Sequence, residues 1–244
     1  MAGLFQDHRL VEVHERLLAF YGPQPRLEVW DPLTQFIYSL LSSQTLTADS
    51  HEVLRNLRRV FGTWERLRDA PVAAIEDAIR AATYPEPKSV WLKADLEEIT
   101  RRCGALTLDW MAGYETAKIR RWLEDLKGCG VKTSAAVVNF STLRRRAMCV
   151  DSHHLRVARR LGFVAKSADP AATEKRLMEM APDSWTAEVL DEHHSLIKLH
   201  GQKICTAKTA PACGRCPLLD RCPAGEKLRA ILPDGPATRG AVTS

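Results

Sequence analysis

The chain has 244 residues, 45% of them hydrophobic and 27% charged, with a formal net charge of +5. That length can bury one large core or two modest ones, and the composition is that of an ordinary globular protein. No apolar run reaches bilayer-spanning length and residues 1–9 carry no signal-peptide pattern, so the expectation is a soluble, unsecreted, cytoplasmic protein. The small positive charge fits a polyanionic partner without establishing one.

Taken in order, residues 9–21 read as an amphipathic helix through Leu10, Val13, Leu17, Leu18 and Phe20, ended by Gly22-Pro23 and Pro25. A second helix takes Asp31 as N-cap and Pro32 as its first residue, and is apolar enough through Leu33, Phe36, Ile37, Leu40 and Leu41 to be central. It stops at Ser42-Ser43-Gln44-Thr45, a polar stretch before a third helix from Thr47, and polar residues between buried helices suggest a ligand-facing loop. Residues 73–82 form a short helix. Tyr84-Pro85-Glu86-Pro87 then reads as a break before a helical period resumes at 88–103.

Residues 116–126 carry Ile119, Trp122, Leu123 and Leu126 at helical spacing, and Ala135, Val137, Val138 and Phe140 continue as a buried helix after Gly128-Cys129-Gly130. The unit reads as helix, hairpin, helix. Gly128 and Gly130 permit positive φ and close backbone approach, and the free N–H groups at the start of the second helix suit a phosphate. An ordinary turn with a C-capping glycine is the competing reading. Arg144-Arg145-Arg146 reads as a solvated helix end. Further helices follow at 152–161, 170–180 and 186–200, and no strand period persists, so the expected fold class is all-α with roughly ten short helices. Residues 225–244 read as a flexible tail.

Four of the seven cysteines lie at Cys205, Cys213, Cys216 and Cys222, separated by seven, two and five residues. Clustering without secretion signals argues for metal ligation over disulfides, whereas Cys103, Cys129 and Cys149 read as small buried residues. Only Cys213 and Cys216 form the two-residue knuckle usual for zinc, so the spacing favours a [4Fe-4S] cluster over zinc. Lys203, Lys208, Arg215, Arg221 and Lys227 make the same loop a candidate positive ridge for phosphates.

A glycine hairpin with a lysine in the following turn, a downstream aspartate and a C-terminal four-cysteine loop together resemble the endonuclease III family of helix-hairpin-helix DNA glycosylases, over roughly residues 31–222. Leu126, Gly128, Gly130, Lys132 and Thr133 match the family hairpin, and Val150-Asp151-Ser152-His153 is similar to its Val-Asp-Thr-His segment. Leu41-Ser42-Ser43-Gln44 resembles the segment that presents a DNA-probing glutamine, and His200-Gly201 stands before the first cysteine as in the family. The chain departs from the pattern at Lys127 in place of the hairpin proline, at Gln202 in place of arginine, in a first cysteine interval longer by one, and at Tyr84 in place of a leucine wedge.

The resemblance implies two helical domains, residues 31–146 with the hairpin and residues 1–30 plus 147–224 with the cluster. It also implies a base-excision-repair enzyme, a monomer acting on double-stranded DNA that holds a damaged base, oxidised pyrimidines above all, or an abasic site. It would release the base and cleave the strand by β-elimination. Lys132 would be the Schiff-base nucleophile: a free lysine with pKa of about 10.4 is mostly charged, and a helix N-terminus and burial both disfavour the cation, while a bound phosphate opposes them. Asp151 would act as general base or stabilise developing positive charge, while also serving as an N-cap. Gln44 and Tyr84 would fill the gap left by an extruded base. Gly128, Gly130, Val131 and Thr133 would hold the DNA backbone, with His153 as a neighbour of the site. Rival readings are an adenine glycosylase of the mismatch-repair branch, which generally lacks the hairpin lysine, and a DNA-binding module without catalysis.

Overall fold

The structure, a computed structural model, describes residues 7–24, 26, 28–207 and 209–229, among which there is no β-strand. Helix α1 (Arg9–Tyr21) buries Leu10, Val13 and Leu17 on one stripe and ends where Gly22, at φ 73, returns its N–H to Leu18 O. Helix α2 (Pro32–Leu41) starts as its sequence dictates: the Asp31 carboxylate accepts the Thr34 N–H at 2.9 Å and Pro32 occupies the first turn. Nine of its residues are buried, so it is the central helix of its half. Helix α3 (Thr47–Phe61) is followed by α4 (Trp64–Asp69), which the sequence reading missed, and α5 (Val72–Ala78).

Helix α6 (Pro85–Cys103) corrects the expected break at 84–87. Both prolines lie in its first turn, where the first four N–H groups have no intrahelical acceptor, so neither ring costs a hydrogen bond. A 3-10 turn (Asp109–Gly113) leads to α7 (Thr116–Glu124), and the hairpin joins this to α8 (Val131–Phe140). Then follow α9 (Ser152–Arg160), α10 (Pro170–Met180), α11 (Ala187–Lys203) and α12 (Pro223–Arg229). Helix α12 corrects the tail at its near end; residues 230–244 lie outside the described residues, as does Pro25.

Two hydrophobic clusters organise these helices. One gathers Trp30, Leu33, Phe36, Ile37, Leu92, Leu96, Ile119, Leu123, Val137 and their neighbours up to Cys149. The other joins Leu10, Val13 and Leu17 of α1 to Met148, Val157, Leu177, Leu196 and Leu218. Helix α8 packs on α2 and α7 and also on α10 and α11, so it lies where the two clusters meet. Arg120 of α7 fastens this junction, donating to Ser134 Oγ at 3.1 Å and to Glu174 Oε2 of α10 at 2.8 Å.

The triple-arginine run is not a solvated helix end. Helix α8 stops at Phe140, and each arginine bonds a segment distant in the chain: the half-buried Arg144 to Asp191 at 2.9 Å, Arg145 to Ala112 O at 2.7 Å and the exposed Arg146 to Pro182 O at 2.9 Å. A guanidinium's fixed fork of donors suits scattered carbonyl and carboxylate acceptors, which a reading of charge alone does not register. Among the described residues, no helix is long and apolar enough to cross a membrane.

Candidate DNA-repair site

The hairpin needs its two glycines for different reasons. Gly128 has φ +70, and a Cβ there would meet Trp91 Cε3 at 2.9 Å, so both backbone and neighbour demand glycine. Gly130, contrary to expectation, is extended at φ −95, and nothing lies within 4 Å of a Cβ built on it. Its bareness therefore serves no packing inside the protein and leaves the approach to the helix start clear. Beyond it, the N–H groups of Val131 and Lys132 find no acceptor among the described residues, as at any helix start. Thr133, in contrast, is buried and its N–H bonds Gly130 O at 2.9 Å, so it faces the interior.

Lys132, the second residue of α8, is half-buried with Nζ 3.4 Å from Ser42 Oγ at the end of α2. The segment leading to Asp151 runs against the same turn, because the Cys149 thiol donates to Lys132 O at 3.6 Å. Asp151 caps α9, accepting the His154 N–H at 2.8 Å. Burial works to raise its pKa, but the facing His194, the His154 N–H and the other nearby histidines outweigh that and hold it below the usual carboxylate range. Lys198 of α11, to which sequence reading gave no role, joins them: burial lowers its pKa, with Asp151 opposing and Lys132 adding to the shift. His153 Nδ1 lies 3.0 Å from Arg156 Nη2, and a Cβ on Gly201 would meet His153 Cβ at 2.7 Å, so Gly201 makes room for it.

Gln44 and Tyr84 are both exposed, Tyr84 to 58%, and both sit at φ +58, a left-handed conformation rare outside glycine. Two other residues of this region went unread. Lys88, 3% exposed, has its pKa pushed down to about 8 by burial first and by the neighbouring Lys132 second. Asp95, 2% exposed, accepts the Lys127 N–H of the hairpin at 2.7 Å, and burial pushes its carboxyl up to about 7. The signal was present: both charges interrupt the apolar stripe formed by Leu92, Leu96 and Ile99.

The raised Asp95 pKa has a stability consequence. The folded protein keeps a proton that the unfolded chain releases near pH ~3.9, so stability is lost as pH rises from there through about 7. Asp95→Asn keeps the acceptor for Lys127 and removes the charge. Urea unfolding is expected to find it more stable than wild type at pH 8 by roughly 1–3 kcal/mol, after discounting for screening, and no more stable at pH 4.

Cys205, Cys213, Cys216 and Cys222 all line one cavity of about 100 Å3, closed on its apolar side by Val157, Leu161, Ile204 and Leu218. Arg160 Nη1 lies 3.1 Å from Cys205 Sγ, and His200 Nε2 lies 3.6 Å from Cys216 Sγ. Burial and the other three sulfurs push the Cys216 thiol up to about 11. Among the described residues no three His, Cys, Asp or Glu side chains stand close enough to hold a single metal ion. The expected positive ridge is reduced, since Arg221 pairs with Glu12 at 2.9 Å; Lys208 and the Lys227 side chain lie outside the described residues.

These features stand in a recognisable lineage. The chain belongs to the HhH-GPD superfamily of base excision DNA repair proteins, whose profile matches residues 37–183. Within it the resemblance to endonuclease III holds: the endonuclease III of Sulfolobus acidocaldarius is 32% identical over 160 residues, 66% of this chain and 66% of that protein. A putative DNA glycosylase of Arabidopsis thaliana is 31% identical over 167 residues, 68% of this chain and 55% of that protein. The chain thus spans about half of that relative, and matches only a 10% share of the rice protein ROS1A. Its fold superposes on a trapped endonuclease III–DNA covalent intermediate with a TM-score of 0.74 and 25% identity, covering 93% of this chain and 100% of that one. The likeness to a thermostable thymine-DNA glycosylase, at TM-score 0.65 and 20% identity, is one of fold alone.

Proposed function

We propose that the chain is a bifunctional DNA glycosylase and AP lyase that removes damaged bases, oxidised pyrimidines first among them, from double-stranded DNA. The observation that carries this reading is the meeting of three things at the start of α8: unpaired N–H groups, the Lys132 amine and the segment ending in Asp151. The N–H groups and the helix dipole bind a backbone phosphate. The deprotonated Lys132 amine attacks C1′ of the extruded nucleotide, the C1′–N bond breaks, and the base leaves with a proton. Asp151 stabilises the positive charge that develops at the sugar. The C1′–O4′ bond of the resulting aminal then breaks, the lysine nitrogen's remaining proton passing to O4′, to give the imine; loss of a C2′ proton forms the C2′=C3′ bond, breaks the C3′–O bond and expels the 3′ phosphate. Gln44 and Tyr84 occupy the vacated stack.

In this reading the two hydrophobic clusters are the cores of two lobes, 31–146 and 1–30 plus 147–224, with Trp30, Ala147 and Cys149 of the second packing into the first core and DNA across the junction that α8 marks. The four cysteines fit a [4Fe-4S] cluster, held by Cys205, Cys213, Cys216 and Cys222, which would brace the loop and supply the positive centre their thiolates require. Duplexes carrying an oxidised pyrimidine, uracil, 8-oxoguanine or an abasic site test the activity. Base release with strand cleavage on the first and cleavage of the last are expected; binding without cleavage on every substrate would reduce the protein to a damage-binding module. The purified protein should show a broad visible absorbance band, and a colourless preparation containing stoichiometric zinc would overturn the cluster.

A further inference from the structure

Helix α6 touches three of the segments that the proposed function places on DNA: the Gln44 loop, the Tyr84 loop and the hairpin. It begins immediately after Tyr84, which is its N-cap. One turn in, the buried Lys88 Nζ donates to Leu41 O at 2.8 Å, Ser43 O at 2.7 Å and Thr45 Oγ1 at 3.0 Å. It therefore caps the carbonyl end of α2, where a cation is favoured, and grips the residues on both sides of the left-handed Gln44. The Thr45 hydroxyl is a hub: it donates to Leu41 O at 3.0 Å and also accepts the Thr83 N–H at 3.0 Å, tying the Gln44 loop to the Tyr84 loop. Further along the same face, Trp91 packs on Gly128 and Asp95 takes the Lys127 N–H. Positions 84, 88, 91 and 95 follow the spacing of a single helix face. At the rise of an α-helix, Lys88 and Asp95 stand about 10 Å apart along the axis. Leu92, Leu96 and Ile99, each fully buried, anchor the helix alongside them.

We propose that α6 is a rigid spacer that sets the distance between the gap-filling loops and the hairpin, with Lys88 the positioning residue that holds Gln44 ready before a base is extruded. The inference rests on the glycosylase and lyase reading above. Its consequence is selective: releasing an intact base requires the gap to be filled while the nucleotide leaves the stack, whereas an abasic sugar has no base to extrude.

Single-turnover rates for the full-length protein on an oxidised-pyrimidine duplex and on the same duplex with a preformed abasic site test this. Lys88→Met is expected to lower the ratio of base release to abasic cleavage by roughly 10- to 100-fold, the scale of a small misplacement of reacting groups. Lys88→Arg, which keeps a cationic donor, should recover part of the ratio. Thr45→Val, which removes the hub and leaves Lys88 in place, should lower it in the same direction and stands in should Lys88→Met fold poorly. An unchanged ratio in both Lys88→Met and Thr45→Val would overturn the proposal, since a merely structural role lowers both rates together. Hydrogen exchange of residues 42–46 in DNA-free protein decides the clamp independently: faster exchange in Lys88→Met supports it and unchanged exchange overturns it. A wild-type protein silent on both substrates would refute the functional reading, and the exchange result would still stand.

Discussion

Lys132→Ala is expected to abolish borohydride trapping of the protein on abasic DNA and to lower strand cleavage by roughly 10^3-fold or more, with DNA binding within a few-fold of wild type. The asymmetry follows from how α8 is built. In the proposed reading the groups that face a phosphate are the N–H groups of Val131 and Lys132 and the helix dipole, all of which survive truncation of a side chain. What alanine removes is the amine beside Ser42. The other lysines near it do not replace it. Lys88 Nζ is committed to two carbonyls and a hydroxyl, and Lys198 approaches from α11, the side of Asp151. Persistent trapping in Lys132→Ala that disappears in the double variant with Lys198→Met would transfer the nucleophile to Lys198.

Much of this framework is legible in the chain itself, because the signals are local. Asp31-Pro32 marks the start of α2 as an N-cap followed by the residue best suited to a first turn, and Gly128 marks the hairpin by the backbone it alone adopts without strain. Cysteine spacing indicated one site, and the four side chains line one cavity. Local signals fail where the decisive partner is distant. Pro85 and Pro87 look like a break until the chain before them is seen to turn at a left-handed Tyr84, leaving both prolines in a first turn. The triple-arginine run looks solvated until Ala112, Pro182 and Asp191 supply its acceptors from 33, 36 and 47 residues away. Lys88 and Asp95 are the most instructive: a charge on an apolar helical stripe is a cost in isolation, and only the loops it bonds, 32 to 47 residues distant, explain its place.

Asp151→Asn separates two roles that fall on one residue. As N-cap of α9, Asp151 accepts the His154 N–H, and asparagine caps about as well, so the variant should unfold within roughly 1 kcal/mol of wild type. As the carboxylate that the proposed function sets beside the sugar it would have no substitute, because an amide brings no negative charge to a developing cation. Base release should therefore fall by roughly 10^2- to 10^4-fold, the range of a lost acid–base group, while the fold stays intact. Asp151→Ala should show the same catalytic loss and a further ~1 kcal/mol of destabilisation from the missing cap. The pH profile adds a sign. Its carboxyl is held below the usual carboxylate range, so it is charged across neutral pH and its contribution to rate disappears only as pH falls well into the acid range. If Asp151→Asn instead keeps full activity while Asp151→Ala loses it in proportion to stability, then the residue is a cap alone. The charge opposing the sugar cation would then have to come from elsewhere in the cleft.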